Sequence, residues 1–457
     1  MTKQQHFLIV TIGSQGQLNP ARHLAVLLAR RSTARITLAI PLHSFRRLFP
    51  SSPPNQPQPL AGAPPNQVFF SSFSDGFDAD GFNPTTGDGH HFMHQLKHVG
   101  SQTLSHLIHH LSSLGHPVTG IIYTILFSWI PDLAGDLGIP YFFYWIQPAS
   151  VFTIYYHHFI NGIKDLTKTL IPGLPPLSHK DLPSILSDPI PGPYLPDFEN
   201  LFRVLNKHKS TVLMNTFTAL ESEVISAIAD KLEIIPIGPL VDDDSDPEST
   251  GIVSLYEHDS SEDYMEWLNS KEDGSVVYLS FGSLSVLSER QVGEILRGLG
   301  ESGRPYLWVL RKNNRGGAID EMKIEGEKGK VVGWCSQMRV LRHRSVGCFV
   351  THCGWNSMAE GLVAGVPMVM VPQWVDQMTN ARMAEKVWGV GMRVEVEEGL
   401  VRGEQVRRCL EVVMGEGSEG VEIRRRAAFW KDKALEALGQ DGSSTTNLMH
   451  FIQSFSS

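Results

Sequence analysis

Short apolar runs alternate along this chain with segments of helical periodicity, and this alternation constrains the fold more than any other feature. An apolar run at residues 6–12 is followed by a glycine-containing turn at residues 13–20, a predicted helix over residues 21–31 and a second run at residues 34–40. This order predicts a βαβ unit with parallel strands. Further strands are predicted at residues 121–125, 141–144, 211–215 and 234–237.

The same alternation restarts in the second half of the chain, with strands predicted at residues 276–281, 306–310, 330–333, 346–350 and 368–371. A length of 457 residues is typical of two domains. We therefore predict an α/β fold of two Rossmann-like, doubly wound parallel-sheet domains that face each other across a cleft. The predicted parts are an N-terminal domain at 1–241, an acidic linker at 242–261, a C-terminal domain at 262–440, and a helix at 441–457 that returns to the N-terminal domain.

The composition disfavours several kinds of partner. A formal net charge of −9 disfavours binding to nucleic acid or to an anionic membrane surface. No apolar run reaches the roughly 18 residues that a membrane-spanning helix needs, and the amino terminus lacks the cleavage site of a signal peptide. We therefore expect a cytoplasmic protein. The four cysteines have no metal-type spacing and predict neither a disulfide framework nor a zinc site.

A predicted strand, turn and helix at residues 346–360 form a candidate anion site. The strand is followed by a polar turn, and Asn356 or Ser357 is suited to be the N-cap of the helix. The amino end of a helix offers unpaired backbone N–H groups and a partial positive charge, which can hold a diphosphate without a metal ion.

Three residues of this segment have the chemistry that a nucleoside diphosphate requires. Gly354 lets the backbone approach a ligand closely. His352 can donate a hydrogen bond to a phosphate oxygen, and the carboxylate of Glu360, one turn into the helix, can accept from two ribose hydroxyls. The same pattern also fits a plain strand–turn–helix unit with a capped helix.

Residues 334–377 resemble the signature box of plant UDP-glycosyltransferases in length, order and spacing, and the likeness extends along the chain through residues 278–283. The resemblance implies the GT-B arrangement, in which the N-terminal domain binds the acceptor and the C-terminal domain binds the UDP-sugar. It also implies a monomer that needs no metal and no cofactor. Gln377 ends the box as in glucose-using members, which favours UDP-glucose, whereas Val375 departs from the Thr that relatives often carry.

The resemblance assigns donor-binding roles to several residues of the box and to Ser283, which precedes it. The implied donor-binding residues are Trp334, the adjacent Cys335 and Gln337 around the uridine, Ser283, His352, Gly354, Trp355, Asn356 and Ser357 around the diphosphate, Glu360 at the ribose, and Trp374, Asp376 and Gln377 around the sugar.

The two catalytic positions depart from the family pattern. Members that resemble this chain carry Gln-Gly-His-x-Asn-Pro after the first strand; that His is the general base, and an Asp after a later strand orients it. This chain has Gln17 at the position of the His and Thr124 at the position of the Asp. Neither side chain accepts a proton at neutral pH. His23 lies more than one helical turn beyond Gln17, and we expect it to point elsewhere.

Three interpretations of this departure stay open. The chain is an enzyme whose acceptor needs no base, such as a carboxylic acid, which has a pKa of about 4 and is ionised at pH 7, or a phenol assisted by Gln17. Alternatively, it is a variant inactivated by placing Gln17 where the family has His. The third interpretation is a UDP-sugar-binding protein without turnover.

A segment at residues 73–77, Phe-Ser-Asp-Gly-Phe, resembles the branch that includes anthocyanin 5-O-glucosyltransferases and ester-forming glucosyltransferases. We therefore predict an inverting UDP-glucosyltransferase, a hexosyltransferase of plant secondary metabolism, that acts on a phenolic or flavonoid hydroxyl or on a carboxylate. A Rossmann-type oxidoreductase is disfavoured, because Gly13 and Gly16 do not make the dinucleotide pattern and no acid ends the second strand.

Overall fold

The computed structural model describes residues 5–65, 67–83, 87–187, 192–241, 263–311 and 328–456. The chain divides into two compact units. The first unit comprises the described residues within Met1–Gly173, Ile185–Leu255 and Ala437–Ser457, and the second those within Leu174–Ser184 and Tyr256–Glu436. The predicted linker at 242–261 lies outside the described residues. The grouping of Leu174–Ser184 with the second unit was not expected from the sequence.

Most of the described strands follow the predicted runs to within a residue or two, whereas the strands at Gln58–Pro59, Val68–Phe73 and Gly391–Arg393 were not predicted. The described strands are β1 (His6–Val10), β2 (Arg35–Pro41), β3 (Gln58–Pro59), β4 (Val68–Phe73), β5 (Gly120–Tyr123), β6 (Tyr141–Trp145), β7 (Thr211–Met214), β8 (Glu233–Pro236), β9 (Val276–Ser280), β10 (Tyr306–Val309), β11 (Gly329–Val332), β12 (Val346–Thr351), β13 (Met368–Met370) and β14 (Gly391–Arg393).

The helices lie between these strands and after the last one. They are α1 (Gln15–Arg31), α2 (Leu42–Leu48), α3 (Gly89–Ser113), α4 (Ile130–Leu137), α5 (Ala149–Phe159), α6 (Ser184–Ser187), α7 (Leu195–His208), α8 (Thr218–Ser226), α9 (Asp263–Asn269), α10 (Glu289–Ser302), α12 (Gln337–Leu341), α13 (Trp355–Ala364), α14 (Gln377–Met383), α15 (Gly403–Val413), α16 (Ser418–Leu438) and α17 (Ser443–Ser456). Short 3-10 turns at Leu166–Lys168 and His179–Asp181 and a π-helical turn at Ala384–Trp388 complete the described elements.

The first unit contains an eight-stranded sheet in the order β3-β4-β2-β1-β5-β6-β7-β8. Its neighbouring strands are parallel except for the antiparallel pair of β3 and β4. Every residue of β1 is buried, as expected for a central strand of a parallel sheet that is covered on both faces.

The predicted turn at residues 13–20 is wrong for most of its length, because α1 begins at Gln15 and contains Pro20. A proline in a helix removes the hydrogen bond that its own N–H would make and disturbs the preceding turn. Burial of Leu18, Ala21 and Leu24 against the sheet supports the helix on both sides of Pro20. As a consequence, Gln17 lies in the first turn of a helix rather than in a loop.

The last helix of the chain, α17, packs on strands of the first unit. The rings of Phe451 and Phe142 are in edge-to-face contact with centroids 4.8 Å apart, and Phe455 lies 4.7 Å from Phe7. Ser444 Oγ also donates to the carbonyl oxygen of Gly238 at 2.6 Å. These contacts join the end of the chain to the sheet that begins at its start.

The second unit contains a six-stranded sheet in the order β11-β10-β9-β12-β13-β14, with all described pairs parallel. Its central strands β9 and β12 supply apolar side chains to a core that α10 and α15 cover. Two parallel-sheet α/β units confirm the predicted fold class; the cleft between them stays a prediction. The four cysteines are buried free thiols. Among the described residues, no helix is long and apolar enough to cross a membrane.

We expect Phe451→Ala to destabilise the first unit by about 3–5 kcal/mol, since it removes a large side chain that is only 2% exposed. Chemical denaturation measures this loss. The matched control is Phe429→Ala on α16, whose side chain is 38% exposed and should cost less than about 1 kcal/mol. Equal losses for the two variants would contradict the docking of α17.

Candidate functional site

The residues predicted to bind a nucleotide sugar follow four of the six strands of the second unit's sheet. Ser283 follows β9, Trp334 follows β11, His352 follows β12 and Trp374 follows β13. Because the strands are parallel, their carboxyl ends lie at one edge of the sheet, where ligands bind in doubly wound folds. The sheet therefore brings the separate parts of the predicted site to a common edge.

The helix that follows the central strand β12 begins without a capping side chain. Gly354 is the N-cap of α13, with φ −60° and ψ 139°, and because it has no side chain it adds no side-chain hydrogen bond to the first turn. The prediction of Asn356 or Ser357 as N-cap is wrong, because the extended backbone at Gly354 already starts the helix at Trp355. Backbone N–H groups at such a helix start can bind an anion.

The imidazole of His352 lies between two glycines. A Cβ at Gly354 would come within 2.5 Å of His352 Nε2, and a Cβ at Gly282 would come within 2.6 Å of the same atom. Gly282 also has a φ of 73°, which side chains rarely allow. Both positions therefore need glycine if the ring is to occupy this place beside the start of α13.

Burial lowers the pKa of His352 to about 4, and an interaction with the Ser280 backbone opposes this shift. The ring is therefore neutral at pH 7 and carries one N–H group. A neutral imidazole can donate one hydrogen bond to a phosphate oxygen but contributes no positive charge. Anion binding at this site accordingly depends on backbone N–H groups more than on a charged side chain.

Gln337 connects the predicted uridine and ribose positions through its side-chain amide. Its Nε2 donates to Ser357 Oγ at 2.9 Å and to a carboxylate oxygen of Glu360. Its Oε1 accepts from the hydroxyl of Tyr278 at 3.0 Å. Three of the predicted residues are thus held in one hydrogen-bonded network, which orients the carboxylate of Glu360.

The aromatic and thiol side chains of the box differ in burial. Trp334 is half-buried at the end of β11, whereas Trp355 is 3% exposed and its ring lies 5.9 Å from that of Trp388. Trp355 can therefore meet a ligand only through its backbone N–H. Burial raises the pKa of Cys335 to about 12, so its thiol, 3.4 Å from the Tyr278 hydroxyl, is not ionised.

The predicted sugar-binding residues lie in the loop after β13. Gln377 Oε1 accepts from the backbone N–H groups of Gln373 and Trp374 at 2.8 and 3.1 Å, so its amide nitrogen is the part left for a ligand. Trp374 is 41% exposed, which is unusual for so large an apolar side chain. An exposed indole beside a fixed amide can form a wall and a hydrogen-bonding edge for a sugar.

Asp376 is buried beside this loop, and burial raises its pKa to about 6, opposed by a hydrogen bond from Asn380. Asn380 Nδ2 donates to Asp376 Oδ2 at 2.7 Å and to the carbonyl oxygen of Cys353 at 2.9 Å. Asn380 thereby joins the predicted sugar loop to the turn that precedes α13. At pH 7 most of the Asp376 carboxyl is ionised and can accept from sugar hydroxyls.

The turn that follows β9 contains Ser283, which is half-buried. Its carbonyl oxygen accepts from Arg311 Nη1 at 3.4 Å. This contact does not involve the Ser283 hydroxyl, whose binding to a phosphate stays a prediction.

In the first unit, Gln17 and Thr124 form a hydrogen-bonded pair. Thr124 follows β5 and donates from Oγ1 to Gln17 Oε1 at 3.0 Å, and the Gln17 side chain is only 8% exposed. The positions of the usual base and its orienting acid are thus in contact, but neither group titrates near neutral pH. His23 faces Leu240, with Nδ1 3.3 Å from that carbonyl oxygen, and does not join the pair.

Sequence reasoning missed three residues of the second unit. Tyr278, Gly282 and Asn380 touch predicted site residues but make their contribution by orienting or making room for them. The glycine after β9 was a visible signal, because a glycine at a strand end often marks close approach. Tyr278 in a buried strand and Asn380 inside a helix gave no comparable signal.

A doubly wound sheet with an uncapped helix after its central strand and a polar network at that edge defines a nucleotide-binding α/β protein. The family described as "UDP-glucoronosyl and UDP-glucosyl transferase" matches residues 214–441. Crocetin glucosyltransferase, chloroplastic, of Gardenia jasminoides is 42% identical, with 99% of this chain and 98% of that protein covered. Anthocyanidin 3-O-glucoside 5-O-glucosyltransferase 1 of Perilla frutescens is 40% identical, with 98% of each covered.

The fold of the chain is also similar to the folds of solved structures. Os79 of O. sativa in complex with UDP has a TM-score of 0.85 and 28% identity, covering 99% of this chain and 100% of that one. Phytolacca americana UGT2 with UDP-2fluoro-glucose and pterostilbene has a TM-score of 0.80 and 25% identity, with 99% and 100% covered. The chain belongs to the UDP-glycosyltransferase family of plants, which confirms the predicted family and, at family level, the predicted enzyme class.

We expect His352 to remain neutral down to about pH 5, since its pKa is about 4. The unfolded chain binds this proton near pH 6.5, so His352 lowers the stability of the fold as the pH falls from 6.5 towards 4. Imidazole nitrogen NMR, assigned with His352→Gln, measures the titration. A His352 midpoint near 6.5 would contradict the burial of the ring between the two glycines.

Proposed function

We propose that this chain transfers glucose from UDP-glucose to a small plant metabolite whose attacking oxygen is already ionised, with carboxylates preferred over phenols. The observation that carries the proposal is the start of α13 at Gly354, which has no side chain to cap the helix, beside the neutral His352. It offers a diphosphate several N–H donors, and the Gln337–Glu360 pair beside it offers a carboxylate to ribose. Os79, a structural relative, is in complex with UDP.

The donor is bound without a metal in this proposal. As the bond between the anomeric carbon and the diphosphate breaks, negative charge increases on the leaving UDP. The N–H groups of the first turn of α13 and the His352 N–H are donors fixed by the fold, so they can stabilise this charge without reorganisation. Trp374, Asp376 and Gln377 then hold the hexose, for which we propose glucose.

The acceptor class follows from the Gln17–Thr124 pair. Thr124 occupies Gln17 Oε1, so the amide nitrogen is the part of Gln17 that can meet an acceptor. An N–H donor stabilises an anionic oxygen but cannot remove a proton from a hydroxyl group. A carboxylate attacks without losing a proton, forming the glucose ester with inversion while UDP leaves.

The names of the relatives do not narrow the acceptor class, because they include a phloretin 4'-O-glucosyltransferase and an anthocyanidin 3-O-glucoside 5-O-glucosyltransferase. For this chain, Gln17 disfavours neutral hydroxyls, since general base catalysis typically contributes about 10²–10⁴-fold to the rate. Positioning of the acceptor still contributes without a base. A cytoplasmic location and a monomeric state stay predictions.

We expect Gly354→Ala to weaken UDP binding by at least about tenfold, because its Cβ would come within 2.5 Å of the His352 ring and one or both groups must move. Calorimetric titration with UDP measures the change. The matched control is Gly300→Ala on α10, where an added Cβ meets nothing within 4 Å. No heat from UDP binding to the unmodified chain would overturn the proposed function.

We expect Gln17→His to speed transfer to phenols by roughly 10–100-fold and to add a rate increase around the pKa of the new imidazole. Transfer to carboxylates should change little, and its rate in the unmodified chain should be flat from pH 6 to 8. The measurement is UDP release with matched phenolic and carboxylic acceptors.

The control for this comparison is His23→Ala, which should leave both rates unchanged because His23 faces Leu240. Adding Thr124→Asp to Gln17→His should increase the gain on phenols by restoring an orienting carboxylate. Binding of UDP-glucose without release of UDP in the presence of any acceptor would instead favour a UDP-sugar-binding protein without turnover. Phenols reacting faster than carboxylates in the unmodified chain would reject the proposed acceptor class.

A further inference from the structure

Val375 has a backbone conformation that its side chain disfavours. Its φ is 55°, in the left-handed region, although Val is branched at Cβ. It lies between Trp374 and Asp376, two of the residues proposed to hold the sugar. A strained residue keeps such a conformation only where surrounding contacts hold it.

Ser184 holds Val375 from both sides of its peptide backbone. The Val375 N–H donates to Ser184 Oγ at 2.9 Å, and the Ser184 N–H donates to the Val375 carbonyl oxygen at 2.9 Å. One residue therefore satisfies both backbone polar groups of the strained position. The hydrogen bonds that Gln377 Oε1 accepts in this loop come from the N–H groups of Gln373 and Trp374, not from Val375.

The segment that carries Ser184, Leu174–Ser184, is anchored within the second unit. The buried Asp181 carboxylate is 2.7 Å from Arg393 Nη1, and Thr379 Oγ1 donates to the Asp181 carbonyl oxygen at 2.8 Å. The pKa of Asp181 is lowered, because hydrogen bonds from Ser178 and the charge of Arg393 outweigh its burial. The segment is thus a fixed support on which Ser184 is presented to the loop.

We propose that Ser184 is a positioning residue for the donor sugar: it holds Val375 so that Trp374 and Asp376 are set at the hexose. The inference rests on the proposed function and deepens it. The hydrogen bonds between Ser184 and Val375 do not involve α12 or α13, where several of the residues proposed for the uridine and the diphosphate lie. Loss of the hydrogen bond from the Val375 N–H to Ser184 Oγ should therefore weaken recognition of the sugar and leave recognition of UDP unchanged.

The test compares UDP with UDP-glucose in Ser184→Ala. We expect UDP affinity to stay within about twofold and UDP-glucose affinity to fall roughly 3–10-fold, the effect of one lost hydrogen bond. The KM for UDP-glucose should rise while the KM for the acceptor stays constant. Ser184→Thr, which keeps the hydroxyl, should restore most of the affinity. Hydrogen exchange at residues 372–377 should be faster in Ser184→Ala than in the unmodified chain.

The matched control is Ser302→Ala on α10, whose hydroxyl donates to the Leu299 carbonyl oxygen and has no contact with the loop. A second variant, Thr379→Val, removes the hydrogen bond from Thr379 Oγ1 to the Asp181 carbonyl oxygen. It should also lower the affinity for UDP-glucose. Equal losses for UDP and UDP-glucose, or no loss for either in Ser184→Ala, would overturn the inference. Absence of UDP binding in the unmodified chain would reject the proposed function itself.

Discussion

Backbone N–H groups at the start of α13 are the donors on which the proposed donor site depends. They follow β12, which is flanked by β9 and β13, so loops from both neighbouring strands reach the same edge of the sheet. Gly354 starts the helix without a capping side chain and leaves room for His352. A side chain that capped the helix would compete with a phosphate for these N–H groups.

Polar side chains around this helix are fixed mainly by one another. Tyr278, Gln337 and Glu360 form a chain of hydrogen bonds, and Asn380 joins Asp376 to the turn before α13. Buried polar groups are costly when unpaired, so such a network favours one arrangement of its members. The groups proposed to meet ribose and sugar are therefore oriented by residues that need not touch either.

The first unit presents a different situation at its catalytic positions. Gln17 and Thr124 keep the mutual contact that a base and its orienting acid would need, yet the pair has no proton to exchange near neutral pH. The geometry of the pair is thus retained while its chemistry is changed. The Gln17–Thr124 pair is the physical basis for proposing an ionised acceptor, since it can orient and stabilise an oxygen without deprotonating it.

The alternation of apolar runs and helical segments determined the two parallel sheets, because strand and helix periodicities are local properties of the sequence. The signature box at residues 334–377 could equally be recognised from the sequence, since its residues are close in the chain. The sequence did not place the N-cap at Gly354 or start α1 at Gln15, because neighbouring packing decides where a helix begins.

Tertiary structure alone decided the contacts between distant residues. Ser184 meets Val375, and Asp181 meets Arg393, across about two hundred positions of sequence. No local pattern encodes such pairs, because a hydroxyl or carboxylate in a loop has many candidate partners until the strands are assembled. The sequence therefore predicted which groups bind, and the fold decided which groups hold them in place.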